Sequence, residues 1–421
     1  MARKEKGITV VSPMYGPRKV TDRMVFSVLH QYISKQNPFK IHLVLVDDYI
    51  EERREDGSSP YDFYLSDTFK EMYDTEKIKI TLIKNPEHKY QGESREIGWK
   101  KGDYNFFILV DCDDMLAPNA CDRYLNIVNQ SVAKQEKPIA CIHGLLYSFD
   151  TNGYEHNIPG HSIWVQARCY NRLFINRYKL HFLKGINSRQ GEDYPFIRKL
   201  DYAIAHQDEF QTVKIPYNEQ SHPDTQATAF WFPNENSLSR KDPHYGQHLS
   251  GWTMASSNSI LDYFDNFNKT YEFEDEQDEY MKHEYLNMAI YSFYNLLDFL
   301  KEVSSTDYKP VEEDWYMLRD NVAKLRNRLK SKYWDEIVYS DIEDMLYNVK
   351  NHSDCRFVES WIGNFYDYIN CEDGIVMDIF NMDYDAMMKY CKEELKFDQA
   401  NHEIHSPQVV AWERRHLSVK R

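Results

Sequence analysis

Phe106-Phe107-Ile108-Leu109-Val110-Asp111-Cys112-Asp113-Asp114 sets five apolar residues directly before three carboxylates. An unbroken apolar run of this length reads as a strand buried on both faces, and the acids mark where its end meets solvent. Asp111 and Asp113, two residues apart at such an end, can both face a hard cation. Mg²⁺ and Mn²⁺ take oxygen ligands and keep places for water and phosphate oxygens. A nucleoside diphosphate that departs as a bond breaks carries charge that such a cation neutralises. Alone, an Asp-x-Asp is common and suits a polar turn with helix-capping aspartates equally well. Cys112 between the acids reads as a small buried spacer.

Working outward, the same kind of signal recurs. Gly7 to Val11 reads as a buried strand stopped at Ser12-Pro13. Asp22 to Tyr32 carries Met24, Val25, Val28, Leu29 and Tyr32 at helical spacing. Ile41 to Val46 is a second continuous apolar run, stopped by Asp47-Asp48, and Ile78 to Ile83 reads as a third strand. Ser94 to Lys101 and Ala120 to Val132 read as helices, and Ile139 to Leu146 as a strand. Strand and helix alternate, which calls for an α/β domain with a mainly parallel sheet covered by helices. Ligands of such sheets bind beyond the carboxyl ends of the strands. Acids at adjacent strand ends would therefore converge on one rim.

Several of these stretches together resemble the family-2 glycosyltransferases of the GT-A fold, in the family's own order along the chain. Thr9 to Tyr15, with Pro13 and Tyr15, is similar to the family's opening strand and its Pro-x-Tyr. Leu43 to Asp48 is similar to the second strand, and Gly92 to Gly98 to the segment where an Arg opens a helix. There Glu96 stands where the family usually has Asn. Phe107 to Asp114 matches the metal motif. Gly160 to Tyr170 is similar to the stretch lining the acceptor side. Gly191-Glu192-Asp193-Tyr194 resembles the Glu-Asp motif, and Phe230 to Arg240 the closing strand and Ser-Leu-Ser segment. The match covers about residues 7–242.

The resemblance implies a metal-dependent, inverting transfer of a sugar from a nucleotide-diphosphate donor to an acceptor hydroxyl. Pro13 and Tyr15 would line the nucleotide, Asp47 or Asp48 would hydrogen-bond its base, and Arg95 would approach it. Asp111 and Asp113 would hold nucleotide and Mn²⁺ or Mg²⁺, with Asp113 the direct ligand. Asp193 would take the acceptor proton and Glu192 would orient the acceptor. An inverting transfer does need a base opposite the leaving group, within hydrogen-bond reach of the nucleophile. Without the motifs upstream, Glu192-Asp193 reads equally as acids at a helix start.

From about residue 255 the pattern changes. Residues 272–279 hold six acids, and Leu286, Ile290, Phe293, Leu297 and Leu300 then recur on one helical face. Further helical stretches are expected at 312–332, 334–349, 356–369 and 384–397. The domains read as 1–255, catalytic, and 256–421, helical. The chain has 421 residues and a formal net charge of −16. Its seven cysteines form no C-x-x-C pair, which fits a reducing compartment better than a disulfide framework or zinc site. No run approaches the roughly 18 apolar residues of a membrane span, so the expected setting is the cytoplasm, or a host's cytoplasm for a viral protein.

The acceptor is less determined. Net acidity disfavours nucleic acid, yet residues 160–200 hold eight Lys or Arg against Glu192 and Asp193. Trp164, Arg168 and Arg172 are the acceptor candidates in this strip. It would suit an acidic glycan or a hydroxymethylated base in bacteriophage DNA, which would have to be flipped out of its duplex. The strip also reads as a solvated face. Trp231 and Trp252 could stack on sugars, and His222, His244 and His248 could add a metal ligand, but burial or surface hydrogen bonding suits them as well. A nucleotidyltransferase or a non-catalytic glycan-binding protein are the rival readings. The first lacks a Gly-rich basic phosphate loop, since Gly16-Pro17-Arg18-Lys19 is a weak substitute.

Overall fold

A computed structural model describes residues 6–35, 38–149, 155–156, 165–184, 192–218, 226–232, 249–271, 276–305, 309–337, 369, 381–398 and 403–405. They belong to two compact units, Met1–Asp242 and Pro243–Arg421.

The first unit is α/β. Its elements are β1 (Gly7–Met14), α1 (Arg18–Leu29), β2 (Lys40–Asp47), α2 (Asp67–Lys70), β3 (Ile78–Lys84), α3 (Tyr90–Lys101), β4 (Phe106–Leu109), β5 (Met115–Leu116) and α4 (Ala120–Ala133). After these come β6 (Ile139–His143), β7 (Leu146–Phe149), β8 (Glu155–His156), β9 (Arg168–Asn171), α5 (Arg172–Arg177), α6 (Asp193–Ala205), β10 (Gln211–Lys214) and β11 (Ala229–Trp231). Seven strands form one sheet in the order β10-β6-β9-β4-β1-β2-β3. All its pairings are parallel except those of β9, which runs antiparallel to β4 and β6. A smaller sheet has the order β5-β11-β7-β8.

The apolar runs decide this core. Every residue of β1 and all but the first of β2 are buried, as expected for strands covered on both faces. Gly98 lets α3 lie close on β1, since a Cβ there would stand 2.2 Å from Val11 Cγ1. β1 runs through Pro13 rather than stopping at it. Val11 turns its carbonyl toward β4, accepting from Val110 N at 3.0 Å, so Pro13 faces the same side just beyond the β4 ladder. Its missing N–H therefore costs the sheet nothing.

Two further expectations for this unit need correction. The first helix ends at Leu29 and Tyr32 is 59% exposed, not part of its apolar face. The buried Gln31 stops the helix: its amide donates to Ser27 O and Ala117 O and accepts from Cys121 N. The strand expected over Ile139 to Leu146 is two strands in different sheets. The chain changes sheet at Gly144, where a Cβ would lie 2.2 Å from the hydroxyls of both Thr228 and Tyr124.

In the second unit α7 (Leu249–Tyr271), α8 (Glu276–Ser305) and α9 (Glu312–Lys332) pack on one another. Leu286, Ile290 and Leu300 are buried among them, as the spacing predicts, with Phe264, Leu318 and Leu325. The side chains of Phe293 and Leu297 lie outside the described residues. So do the expected helices over 334–349 and 356–369, apart from a 3₁₀ turn at Trp334–Glu336 and Ile369. The stretch 384–397 is not one helix. α10 (Tyr384–Lys389) passes into a π-turn, then β12 (Lys396–Asp398), paired antiparallel with β13 (Glu403–His405). Among the described residues no helix is long and apolar enough to cross a membrane.

Candidate active site

β1, β2 and β4 are adjacent and parallel, so their carboxyl ends share one rim. Met14 pairs with Asp47 across β1 and β2. This brings Pro13 and Tyr15, Asp47 and Asp48, and the Asp111–Asp114 turn to the same edge of the sheet. Tyr15 is partly exposed, and its ring lies 4.9 Å from Tyr49 and 5.6 Å from His88, which in turn meets Tyr90 at 4.3 Å. These rings form an aromatic border beside the two β2 acids.

Both acids are buried and both are engaged. Asp47 accepts from Tyr49 N at 3.0 Å and from Arg53 Nε at 3.1 Å. Asp48 accepts from Asn85 Nδ2 at 2.7 Å and Lys89 N at 2.8 Å, and its second oxygen lies 2.9 Å from His88 Nδ1. Burial pushes the Asp48 carboxyl above its ordinary value, against the pull of those donors. Asp48 thereby holds the start of α3, where Tyr90 has φ +61°, a left-handed conformation unusual for a bulky residue.

The centre of the site is Arg95. It lies one turn into α3 and is 1% exposed. Its Nη2 donates to Asp111 Oδ1 at 2.6 Å and its Nη1 to Glu192 Oε1 at 2.7 Å. Gln91, one helical turn earlier, donates to the same Asp111 oxygen at 2.7 Å, and Gln166 Nε2 donates to the other. Asp193 opens α6 beside this group and accepts from the Val165 backbone N–H. Burial works against the charge on Arg95, but Asp111, Glu192 and Asp193 outweigh it and hold the guanidinium protonated. The reverse holds for the acids. Burial pushes both Glu192 and Asp193 up, reinforced by the Asp111 charge and opposed by Arg95. Three carboxylates surround one buried cation; Glu192 is buried with it, while Asp111 and Asp193 are half-buried, and charge interactions largely removed from bulk water are strong.

Below this group the packing is aromatic. Phe182 and Phe196 stack at 4.4 Å, and Trp99 lies 5.6 Å from each. The Arg95 guanidinium sits 5.7 Å over the Phe182 ring. These rings fix α3 and α6 against each other, and so fix the distance between Arg95 and Asp193.

The motif turn closes with Asp114 N donating to Asp111 O at 3.1 Å. Asp114 is buried. It accepts from Phe232 N at 3.2 Å through Oδ1, while its Oδ2 has no hydrogen-bond partner. Burial, with Asp113 and Asp111 nearby, pushes its carboxyl well up. Arg23 of α1 donates to Asp113 O and lies 4.0 Å over the Phe232 ring.

The donor set fits a hard divalent cation in one respect. It is all oxygen, and it includes a buried carboxylate oxygen with nothing to bond. Asp111 is less suited, since Gln91, Arg95 and Gln166 already use three of its four lone pairs. Among the described residues no group of three or more His, Cys, Asp or Glu is gathered to hold a metal. Phosphate oxygens and water would have to complete any coordination shell.

The acceptor candidates fare differently. Arg168 is buried on β9, 3.5 Å from Asp201. Arg172 donates to Trp99 O at 3.1 Å and Gly102 O at 2.6 Å, and also to Tyr104 O, capping the carbonyl end of α3. Both are committed to packing. In the same strip Lys199 is buried and Arg177 pairs with Glu209. Trp231 is 38% exposed at the end of β11. Trp164, the three histidines His222, His244 and His248, and the Trp252 side chain lie outside the described residues.

Gln91, Gln166, Arg23 and Phe232 were not legible as site residues. Gln91 had one signal, its i, i+4 spacing to Arg95 on a helix. The others reach the site only through the fold.

No protein-family profile matches this sequence, and no curated protein matches it. Among solved structures, S. aureus TarS 1–349 overlaps with a TM-score of 0.48 at 13% identity, over 95% of this chain and 96% of that one. TarS 1–349 in complex with UDP-GlcNAc gives 0.41 at 11% identity over the same shares. The mannosyltransferase PcManGT from Pyrobaculum calidifontis, in complex with GDP-Man and Mn²⁺, gives 0.39 at 11% identity, over 84% of this chain and 89% of that one. Overlaps this loose leave the chemistry to be argued from the residues themselves.

Proposed function

We propose that this chain is a metal-dependent, inverting glycosyltransferase that moves a sugar from a nucleoside-diphosphate donor to an acceptor hydroxyl. The observation that carries this reading is the Arg95 cluster. It joins the acid motif at the end of β4 to the Glu192–Asp193 pair at the start of α6, on the carboxyl rim of a mainly parallel sheet. Such a cluster costs stability, and buried titratable groups held at shifted pKa values are what acid–base chemistry uses.

In this reading the nucleotide lies along the rim, its base by Tyr15, Asp47 and Asp48. Asp193 takes the proton of the acceptor hydroxyl as that oxygen bonds to the anomeric carbon. The bond from the anomeric carbon to the diphosphate breaks, and the nucleoside diphosphate leaves with the electron pair. Asp113, with Asp114 beside it, would hold a divalent cation, whose positive charge would offset that of the departing diphosphate. Glu192, tied to Arg95, shapes the acceptor side. Arg168 and Lys199 of the basic strip are buried and Arg172 is tied to backbone carbonyls, which leaves Arg177, Lys179 and Lys184 exposed, and a glycan hydroxyl is the acceptor we favour. The catalytic apparatus lies within Met1–Asp242; a boundary at 255 would cut α7, so the largely helical second unit starts at Pro243.

The test is a thermal-shift screen of nucleotide sugars, including UDP-GlcNAc and GDP-mannose, with and without Mn²⁺, followed by product analysis. Donor binding raises the melting temperature by mass action, and turnover releases a nucleoside diphosphate. Pyrophosphate released from a nucleoside triphosphate would instead identify a nucleotidyltransferase. Neither binding nor turnover with any donor would leave a non-catalytic protein.

A further inference from the structure

Arg95 is the residue whose placement departs most from what the motif implies. A side chain meant to touch a nucleotide should offer a donor to solvent. Arg95 is 1% exposed, both its terminal nitrogens are bonded to protein carboxylates, and its Nε is buried without a partner. Its plane is backed by Phe182. A guanidinium is rigid and forked, so one residue can hold two carboxylates at a fixed separation, which an ammonium cannot do.

We propose that Arg95 is a positioning residue for the proton-abstracting step: its buried guanidinium ties the turn bearing Asp193 to Asp111 and does not contact the donor nucleotide. This rests on the glycosyltransfer reading and deepens it. Asp193 follows Glu192 directly, so a bond that fixes Glu192 fixes the start of α6 and the direction of the Asp193 carboxyl. The far end of the fork grips the first acid of the motif turn. The distance between the leaving-group side and the base is thus set by one side chain. The groups facing Asp193 are Arg95 from α3, Asp111 from the end of β4, Tyr170 from β9 and the adjacent Glu192, along with the Val165 N–H. Among these Arg95 is the cation, and it favours the charged, proton-accepting form of Asp193.

The experiment measures donor turnover, as nucleoside diphosphate released from whichever nucleotide sugar the wild type uses, together with donor affinity by calorimetry. The variants are Arg95→Lys, Glu192→Gln and the double substitution, each in the full chain. We expect Arg95→Lys to keep donor affinity within about 2-fold while kcat falls about 100-fold, the range of a misplaced base. Its acid limb of kcat against pH moves up, because the ammonium, without the fork, no longer holds its charge in place beside Asp193. Glu192→Gln also lowers kcat, yet moves the limb down or leaves it, since a neighbouring negative charge is removed. The double variant is little worse than the poorer single one, because both break the same tie.

A donor affinity weakened 10-fold or more in Arg95→Lys with kcat unchanged would place Arg95 on the nucleotide and overturn the proposal. So would strictly multiplicative losses, or a lowered melting temperature with neither kcat nor the acid limb altered. Should Arg95→Lys not fold, Glu192→Gln alone decides: loss of kcat at constant donor affinity supports the tie, and unchanged kcat removes it. A wild type that turns over no donor would instead remove the glycosyltransfer reading, and this one with it.

Discussion

Surface ion pairs of the helical unit and the rim of the sheet handle charge in opposite ways. On the helices, two cations meet acids one to one near the surface: Arg328 with Asp262, and Lys332 with Asp265 at 2.6 Å. At the rim of the sheet, Arg95 is buried and faces Asp111, Glu192 and Asp193 together. Exposed matched pairs contribute little to stability and cost little. A buried mismatched cluster is expensive, and breaking it by removing one partner is more so. The contrast teaches where to look for chemistry. Charge that merely decorates packing is paired and wet, while charge kept dry and out of balance is retained for a use.

The sharpest way to break that contrast is Asp193→Asn. We expect kcat to fall about 10³-fold, within the range of a lost general base, with donor affinity kept. The wild-type pH profile belongs to the same test. Burial and Asp111 hold the Asp193 pKa above the ordinary carboxylate value, and the base works only when unprotonated. Activity should therefore fail on the acid side at a higher pH than an exposed aspartate would allow. Turnover unchanged in Asp193→Asn would make the rim cluster a structural accident.

The next effect probes the other unit. Leu325→Ala, in the buried seam of α9, should cost about 3 kcal/mol by chemical denaturation. A loss below about 1 kcal/mol would mean that the helices are held by something other than their apolar faces.

A smaller effect tests an intermediate case. Glu96 is half-buried, with Lys100 and His181 (2.9 Å) donating to it. Burial opposes its charge, yet those donors win and its carboxyl is pulled down to about 2 from 4.5. The folded value lies below the unfolded one. The stabilisation is therefore complete above about pH 4.5 and is lost as pH falls toward 2. Glu96→Gln should cost about 1 kcal/mol at neutral pH and nothing near pH 2. The smallest effect is Asp262→Asn, expected below about 1 kcal/mol and shrinking further in salt. A larger loss there than in Glu96→Gln would reverse the contrast.

How legible each part was follows from the range of the forces involved. β1, β2 and β4 announce themselves because a strand covered on both faces must be apolar throughout. β9 does not, because Arg168-Cys169-Tyr170-Asn171 is short and polar at both ends. What makes it a strand is a ladder to β4 and β6, written far away in the chain. The acids of the site were legible because they stop strands or open a helix. Their partners were not: nothing local to Gln166 ties it to Asp111, and nothing local to His181 ties it to Glu96. The motif led us to expect Arg95 to approach the nucleotide, and only the fold shows that its terminal nitrogens are turned inward onto Asp111 and Glu192. Arg168 and Arg172 gave a false impression of a basic surface because charge counted along a chain says nothing about depth.

Gly144 has reach beyond its own turn. The hydroxyl of Thr228 fills the space where a methyl would stand, and Thr228 leads straight into β11, whose next residue, Phe232, donates its N–H to Asp114. One hydrogen atom at a remote bend thus governs how the acidic loop is seated. An alanine there would wedge the strand outward and tilt that loop, moving Asp114 through a lever arm that lies outside the candidate site.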